Sequence, residues 1–246
     1  MHITFWLNSP QTSSVRLPSA NLHLFQSMLY SILPNDEATK LHNEDKMKLF
    51  AMSWPIADSR PQFGEDTVIF PLPLKLVITT PLQNLIAGFV MGALNKNLRI
   101  GNNHLTCLRV ETEQQKVSSN KITVQTLSPI TFYDSVIKGD RPYTIYFNPY
   151  NSEFQQGIHK NLLKKFHALY PERDLPKDDF KIIPLGELKE RISMYEKGSS
   201  FPVKGWWGRF RLEGNPELLQ VALDCGLGSK NSGGWGCVTQ NFERRK

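Results

Sequence analysis

Asn215-Pro216-Glu217-Leu-Leu-Gln-Val-Ala-Leu-Asp-Cys225-Gly226-Leu-Gly228-Ser-Lys230-Asn-Ser-Gly-Gly234-Trp-Gly236 is the stretch from which the fold is read. Asparagine followed by proline starts a helix, because the Asn side chain accepts a free backbone N–H and proline's fixed φ suits the first helical position. Gly226 is a stop signal, so a helix from Pro216 to Cys225 is predicted, followed by a glycine-rich loop and a last strand from Trp235. Glycine tolerates positive φ and lets backbone N–H groups approach a ligand, while Lys230 and two serines add donors, so the loop has the chemistry of a phosphate contact. It follows the C-terminal end of its helix, however, where the partial charge is negative, and it completes neither the mononucleotide nor the dinucleotide fingerprint. The competing reading is a Gly-capped turn into a strand.

Before this helix, Gly205-Trp-Trp-Gly-Arg-Phe-Arg-Leu212 alternates as a strand. Trp207, Arg209 and Arg211 then share one face, and Trp206, Phe210 and Leu212 the other. Aromatic and guanidinium groups on one sheet face suit stacking on RNA and neutralising its backbone, against the ordinary alternative of a solvated strand face. Further upstream, Tyr143 to Phe147 reads as a strand, Ser152 to Leu169 as a long helix, and Phe180 to Pro184 and Arg191 to Tyr195 as strands. In the first half, His2 to Leu7 alternates as a half-buried strand, and Leu22, Phe25, Leu29 and Ile32 recur at helical spacing. A short helix over Asp36 to His42 and strands over Leu49 to Trp54 and Thr67 to Thr80 follow. A helix from Leu82 to Leu94 and strands over Leu98 to Glu111 and Thr123 to Phe132 complete the half. Strand and helix order therefore repeats. The prediction is an α+β chain of tandem ferredoxin-like (RRM-like, βαββαβ) domains, residues 1–133 and 134–246. That fold hosts many functions and selects none.

A chain of 246 residues, 40% hydrophobic and 11% aromatic, is globular and long enough for two small cores. No apolar run approaches the roughly 20 residues that span a bilayer, and Met1-His-Ile-Thr-Phe-Trp-Leu lacks a charged leader region, so no membrane partner and a cytoplasmic address are expected. Cys107, Cys225 and Cys237 are odd in number, far apart and without neighbouring histidines, which argues against a zinc site and a disulfide framework. A formal charge of +6, with no like-charge block longer than Arg244-Arg-Lys246, suits an anionic partner met by a folded surface.

Among six histidines, His42 stands out, because Leu41-His-Asn-Glu-Asp-Lys46-Met-Lys48-Leu-Phe50 sets an imidazole beside two lysines in a polar segment. An imidazole near neutrality moves protons either way, and lysines there would hold the negative charge of a phosphorane. Tyr30, late in the preceding helix, could orient substrate or a proton. The alternative for His42 is an inert surface histidine. His159 and His167 on the long helix and His104 in a turn read as structural or solvated. The adjacent acidic pairs Glu44-Asp45 and Asp178-Asp179 lack a third ligand at recognisable spacing and read as solvated. No metal or other cofactor is expected, and the Gly-x-Ser-x-Gly and His-Glu-x-x-His hydrolase motifs do not occur.

Several separated segments together resemble the CRISPR-associated endoribonucleases that process precursor CRISPR RNA, within the RAMP superfamily. The family's C-terminal Gly-apolar-Gly, Lys/Ser-rich spacer, Gly-apolar-Gly signature is matched by Gly226-Leu-Gly228 and Gly234-Trp-Gly236. Thr126-Leu-Ser-Pro-Ile130, Lys48-Leu-Phe-Ala-Met-Ser53 and the Gly214-Asn-Pro helix start are also similar. The resemblance implies tandem ferredoxin-like domains, a prokaryotic cell and metal-independent cleavage of repeat RNA. It implies a Tyr/His/Lys constellation, carried here by Tyr30, His42 and Lys48. It also implies RNA contacts from Gly226, Gly228, Lys230, Asn231, Ser232, Gly234 and Gly236, joined by Arg209 and Arg211. The expected partner is CRISPR repeat RNA, with other subunits of a CRISPR effector complex and a homodimer left open. Two further readings stand beside the nuclease: a non-cleaving RNA-binding subunit of an effector complex, and a ferredoxin-like scaffold without nucleic acid.

Overall fold

The computed structural model describes residues 1–43, 47–138, 141–177, 180–194 and 202–240. The acidic pairs at 44–45 and 178–179, the end of the expected strand at Tyr195, and the basic terminus 244–246 lie outside them. Of His42 the backbone is described and the side chain is not.

The first half contains β1 (His2–Asn8), β2 (Ser14–Pro18), α1 (Leu22–Ile32), α2 (Asn35–Asn43), β3 (Ala51–Met52), β4 (Ile56–Ala57), β5 (Gln62–Phe63), β6 (Thr67–Pro71), β7 (Leu74–Thr79), α3 (Gln83–Asn95), β8 (Leu98–Ile100) and β9 (Asn103–Glu113). Its main sheet runs β3-β7-β1-β9-β8, with every neighbouring pair antiparallel. Taking β1, β3, β7 and β9 as the strands of one βαββαβ unit gives the 4-1-3-2 order of a ferredoxin-like sheet, with α1 and α3 as its helices. β2, β6 and β5 form a small separate sheet, and β4 adds to the edge of β7. The alternation read in β1 is the reason for its position: Ile3, Phe5 and Leu7 are buried with Phe25 and Leu29 of α1 and Leu85 and Phe89 of α3. Each such side chain contributes about 1.5–3 kcal/mol by leaving water. α1 ends where Pro34 forces the residue before it out of helical geometry, and Leu33 is accordingly extended (φ −70°, ψ 158°). His104, expected in a turn, lies in β9.

The second half contains β10 (Lys121–Thr126), β11 (Tyr133–Lys138), β12 (Arg141–Tyr146), α4 (Ser152–Leu169), β13 (Lys181–Met194), β14 (Pro202–Glu213), α5 (Pro216–Cys225), a 3₁₀ turn (Asn231–Gly233) and β15 (Val238–Thr239). Its sheet runs β13-β14-β10-β15, again the order 4-1-3-2 with α4 and α5 as helices. β10, counted from sequence within residues 1–133, pairs with β14 and β15, so the change of sheet falls between Glu113 and Lys121. β11 and β12 are a hairpin inserted after the first strand. The two strands expected around Phe180 and Arg191 are one strand, β13, with a register irregularity between Leu185 and Lys189 next to Gly186 at φ +75°. Both ends of α5 match their sequence signals. The Asn215 side chain accepts the Glu217 N–H at 2.9 Å, Pro216 opens the helix, and Gly226 follows it at φ +77°.

The segment after β10 joins the halves. Trp54 N–H donates to Leu127 O at 2.9 Å, the Ser128 hydroxyl to Met52 O at 3.0 Å, and His2 Nε2 lies 2.9 Å from Val238 O.

Candidate functional site

The glycine loop lies on this joint. Gly236 N–H donates to Pro129 O at 2.8 Å, Leu127 N–H to Cys237 O at 2.7 Å, and Ser229 N–H to Thr131 O at 2.9 Å. Two sequence motifs about a hundred residues apart, at Thr126–Ile130 and Gly226–Gly236, are therefore the two sides of one clasp. Gly226, Gly228, Gly234 and Gly236 are buried, and so is Asn231. These are residues expected to meet RNA, and the structure sets them inside the loop, while its outer turn carries the more open groups, with Lys230 exposed and Ser229 and Ser232 partly so. The glycines serve the interior instead. A Cβ on Gly228 would come within 2.2 Å of Thr131 O, and its φ is +71°. Lys230 itself adopts left-handed geometry at φ 58°, with its ammonium 5.4 Å from the Tyr133 ring centroid.

Beneath the loop is a residue that sequence reading passed over. Lys165 of α4 is 1% exposed, and its Nζ donates to Gly226 O at 2.7 Å, Gly228 O at 3.2 Å and Asn231 Oδ1 at 2.7 Å. Asn231 uses its amide as well, donating to Leu227 O at 3.0 Å and Trp235 O at 2.9 Å. A signal was available: Lys165 continues the apolar stripe of Ile158 and Leu162 and adjoins buried Phe166, where an ammonium is out of place unless it has partners. Burial pushes its pKa down from 10.5 to about 7, opposed by the neighbouring Cys225 thiol. The three acceptors work the other way, since hydrogen bonds to the ammonium favour its charged form.

The loop also meets α1. Gln26 Nε2 lies 3.3 Å from the Tyr30 hydroxyl and 3.4 Å from Ser232 Oγ, so one amide touches both the expected constellation and the loop. Tyr30 is only 7% exposed and packs edge-on against Phe50, ring centroids 6.3 Å apart. Lys48, half-buried, precedes Phe50 by two residues in the irregular segment that leads into β3. His42 lies in the last turn of α2. The fold thus brings Tyr30, Ser232 and the Lys48–Phe50 segment into one neighbourhood at the joint.

Arg209 and Arg211 stand apart, on β14. The expected division of that strand holds, with Trp206, Phe210 and Leu212 buried and Trp207, Arg209 and Arg211 more open. Arg211 is engaged, its Nε 2.8 Å from Glu213 Oε1, while Arg209 is exposed. Trp54, unremarked in the sequence, joins this face to the loop. Its ring lies 5.8 Å from that of Trp207 and 5.8 Å from that of Trp235, and its Nε1 donates to Gly234 O at 2.8 Å. Beside it Trp207, Lys189, Arg191 and Glu187 line an open groove of about 380 Å³.

Residues 111–240 match the family described as CRISPR associated protein Cas6, C-terminal. The chain is 28% identical over 204 residues to CRISPR-associated endoribonuclease Cas6 1 of Methanocaldococcus jannaschii, spanning 82% of this chain and 77% of that protein. It is 25% identical over 236 residues to CRISPR-associated endoribonuclease Cas6 of Pyrococcus furiosus, spanning 91% and 83%. A solved structure called CRISPR associated protein Cas6 superposes with a TM-score of 0.79 at 23% identity, covering 98% of this chain and 99% of that one. Among the described residues, no helix is long and apolar enough to cross a membrane.

Proposed function

This chain belongs to the Cas6 family of CRISPR-associated proteins, and from that premise we propose that it is an endoribonuclease that cuts CRISPR repeat RNA in the precursor transcript to release guide RNAs. The observation that carries the reading is the bridge made by Gln26, which sets Tyr30 of the first half against Ser232 of the C-terminal loop. A site assembled across the joint of two domains can hold an extended strand on one side while chemistry proceeds on the other.

The reaction is attack by the ribose 2′-hydroxyl on the adjacent phosphorus. The new O2′–P bond forms as the P–O5′ bond breaks, leaving a 2′,3′-cyclic phosphate and a 5′-hydroxyl. The 2′-hydroxyl gives up a proton, and the departing O5′ takes one. The nucleophile belongs to the RNA, so the protein has to align it in line, move those protons and stabilise the phosphorane, and neither a metal nor a protein nucleophile is required. His42 transfers a proton, Lys48 places positive charge on the phosphorane, and Tyr30 orients the reacting group. Lys230, Ser232, Arg209 and Arg211 hold the RNA backbone. Lys230 and Arg209 act through charge, so affinity falls as salt rises.

The test is incubation with the cognate repeat RNA in EDTA, followed by analysis of the product ends. Cleavage to a 2′,3′-cyclic phosphate and a 5′-hydroxyl is expected. The same RNA carrying 2′-deoxyribose at the scissile nucleotide is expected to bind and stay intact. Cutting of the deoxy substrate at an undiminished rate would sink the mechanism, and tight binding without any cleavage would make the chain an RNA-holding subunit instead.

A further inference from the structure

Among the described residues, the buried ammonium of Lys165 is a charged group that the proposed chemistry does not use. An apolar side chain of the same length would fill its space between Ile158, Leu162 and Phe166 without the desolvation cost of a buried cation, so packing alone does not call for lysine there. Its surroundings do. Gly226 at φ +77° and Gly228 at φ +71° turn their carbonyls inward, and Asn231 adds its side-chain oxygen to the same point. Three oxygens converging in a dry interior repel one another unless donors stand between them. An ammonium has three N–H groups, one for each, whereas a neutral amine has two.

Asn231 is consequently held from both ends, by Lys165 on its oxygen and by Leu227 O and Trp235 O on its nitrogen. Its neighbours in the chain are two of the more open loop residues, Lys230 over the Tyr133 ring and Ser232 against Gln26 and, through that amide, Tyr30. A displacement of Asn231 would move both at once.

We propose that Lys165 is a positioning residue for the RNA site, its ammonium gathering Gly226 O, Gly228 O and Asn231 Oδ1 so that Lys230 is held over Tyr133 and Ser232 against Gln26, the neighbour of Tyr30. This rests on the reading of the joint as an RNA-processing site. Lys165 touches no substrate and acts wholly through the loop.

The test compares wild type with Lys165→Met, which keeps length and removes every donor, and Lys165→Gln, whose amide offers two. Three measurements are made on the full chain: global unfolding, amide hydrogen exchange at 229–236 without RNA, and single-turnover cleavage of repeat RNA at saturating protein. Lys165→Met is expected to unfold cooperatively while its loop amides exchange at least tenfold faster. Its cleavage at saturation is expected to slow at least tenfold, a loss in the rate itself that a change confined to binding would not cause. Lys165→Gln is expected to fall between the two. Wild-type exchange or wild-type cleavage in a folded Lys165→Met overturns the proposal, and if that variant alone fails to fold, the same outcomes in Lys165→Gln do so. Failure of both variants to fold also overturns it, because Lys165 would then support the whole core. Should wild type cleave no repeat RNA, the functional reading fails by itself, while the RNA-free exchange measurement still judges whether Lys165 orders the loop.

Discussion

Replacing His42 by alanine is expected to slow cleavage of repeat RNA by a factor on the order of 10² to 10⁴, the usual weight of one positioned acid or base. Affinity for the uncleavable 2′-deoxy RNA should be retained, because the proton His42 handles moves only as bonds change. The loss should appear in the single-turnover rate at saturating protein and not in the concentration needed to reach it. Lys48→Ala is expected to act on the same quantity for a different reason. Its ammonium would meet charge that builds on the phosphorane, and removing one preorganised partner of such charge typically costs about 10²–10³ in rate. The two substitutions serve one transition state, so the double variant should be little slower than the worse single one. A His42→Ala protein that cuts at the wild-type rate would remove His42 from the mechanism. A protein that binds repeat RNA and never cuts would give neither substitution anything to abolish, and would settle on the binding role.

The second large effect concerns the fold of the loop. Gly236 sits at φ +69°, and a Cβ there would come within 1.9 Å of Leu227 O, a backbone atom. The collision has no easy relief: Leu227 N–H donates to Gly236 O at 2.8 Å, and Gly236 N–H donates to Pro129 O at 2.8 Å, so both flanks are tied. Gly236→Ala should therefore destabilise the protein by on the order of 4 kcal/mol or more, in the range reached only when a special backbone site or the core is broken. Gly233→Ala, three residues earlier, is the control. A Cβ on Gly233 meets nothing within 4 Å, and a change within about 0.5 kcal/mol is expected there. Denaturant midpoints of the two variants measure the contrast. Equal midpoints would show that the loop is not the rigid clasp described above.

That contrast bears on what could be read in advance. Glycine spacing marks the loop as special from sequence, and the phosphate-cradle reading follows naturally from residues that permit close approach. Folding turns the same permissiveness inward, because the close approach is made to Thr131, Pro129 and Leu227 of the protein itself. Of the loop residues expected to bind RNA, Lys230 and Ser232 keep an outward position. Lys165 is easily passed over in a helix with several lysines, and its place on the apolar stripe is the one mark that separates it from the others. Trp54 was hidden by distance, since its partners Trp207, Trp235 and Gly234 lie far along the chain.

The sequence by itself determined the local elements. α4 spans Ser152–Leu169 as its periodicity requires, α5 spans Pro216–Cys225 as its Asn-Pro start and glycine stop require, and β14 divides between a buried and an open face as its alternation requires. These follow from interactions within a few residues, which a sequence displays directly. Only the tertiary structure decided which sheet owns β10, that the glycine loop and the residue after it are tied to Leu127, Pro129 and Thr131, and that a buried ammonium ties the loop beneath Tyr30's neighbour Ser232. Each depends on groups brought together from distant parts of the chain. An alternating strand pairs equally well with either sheet, and a lysine's cost is repaid only by oxygens that folding delivers to it.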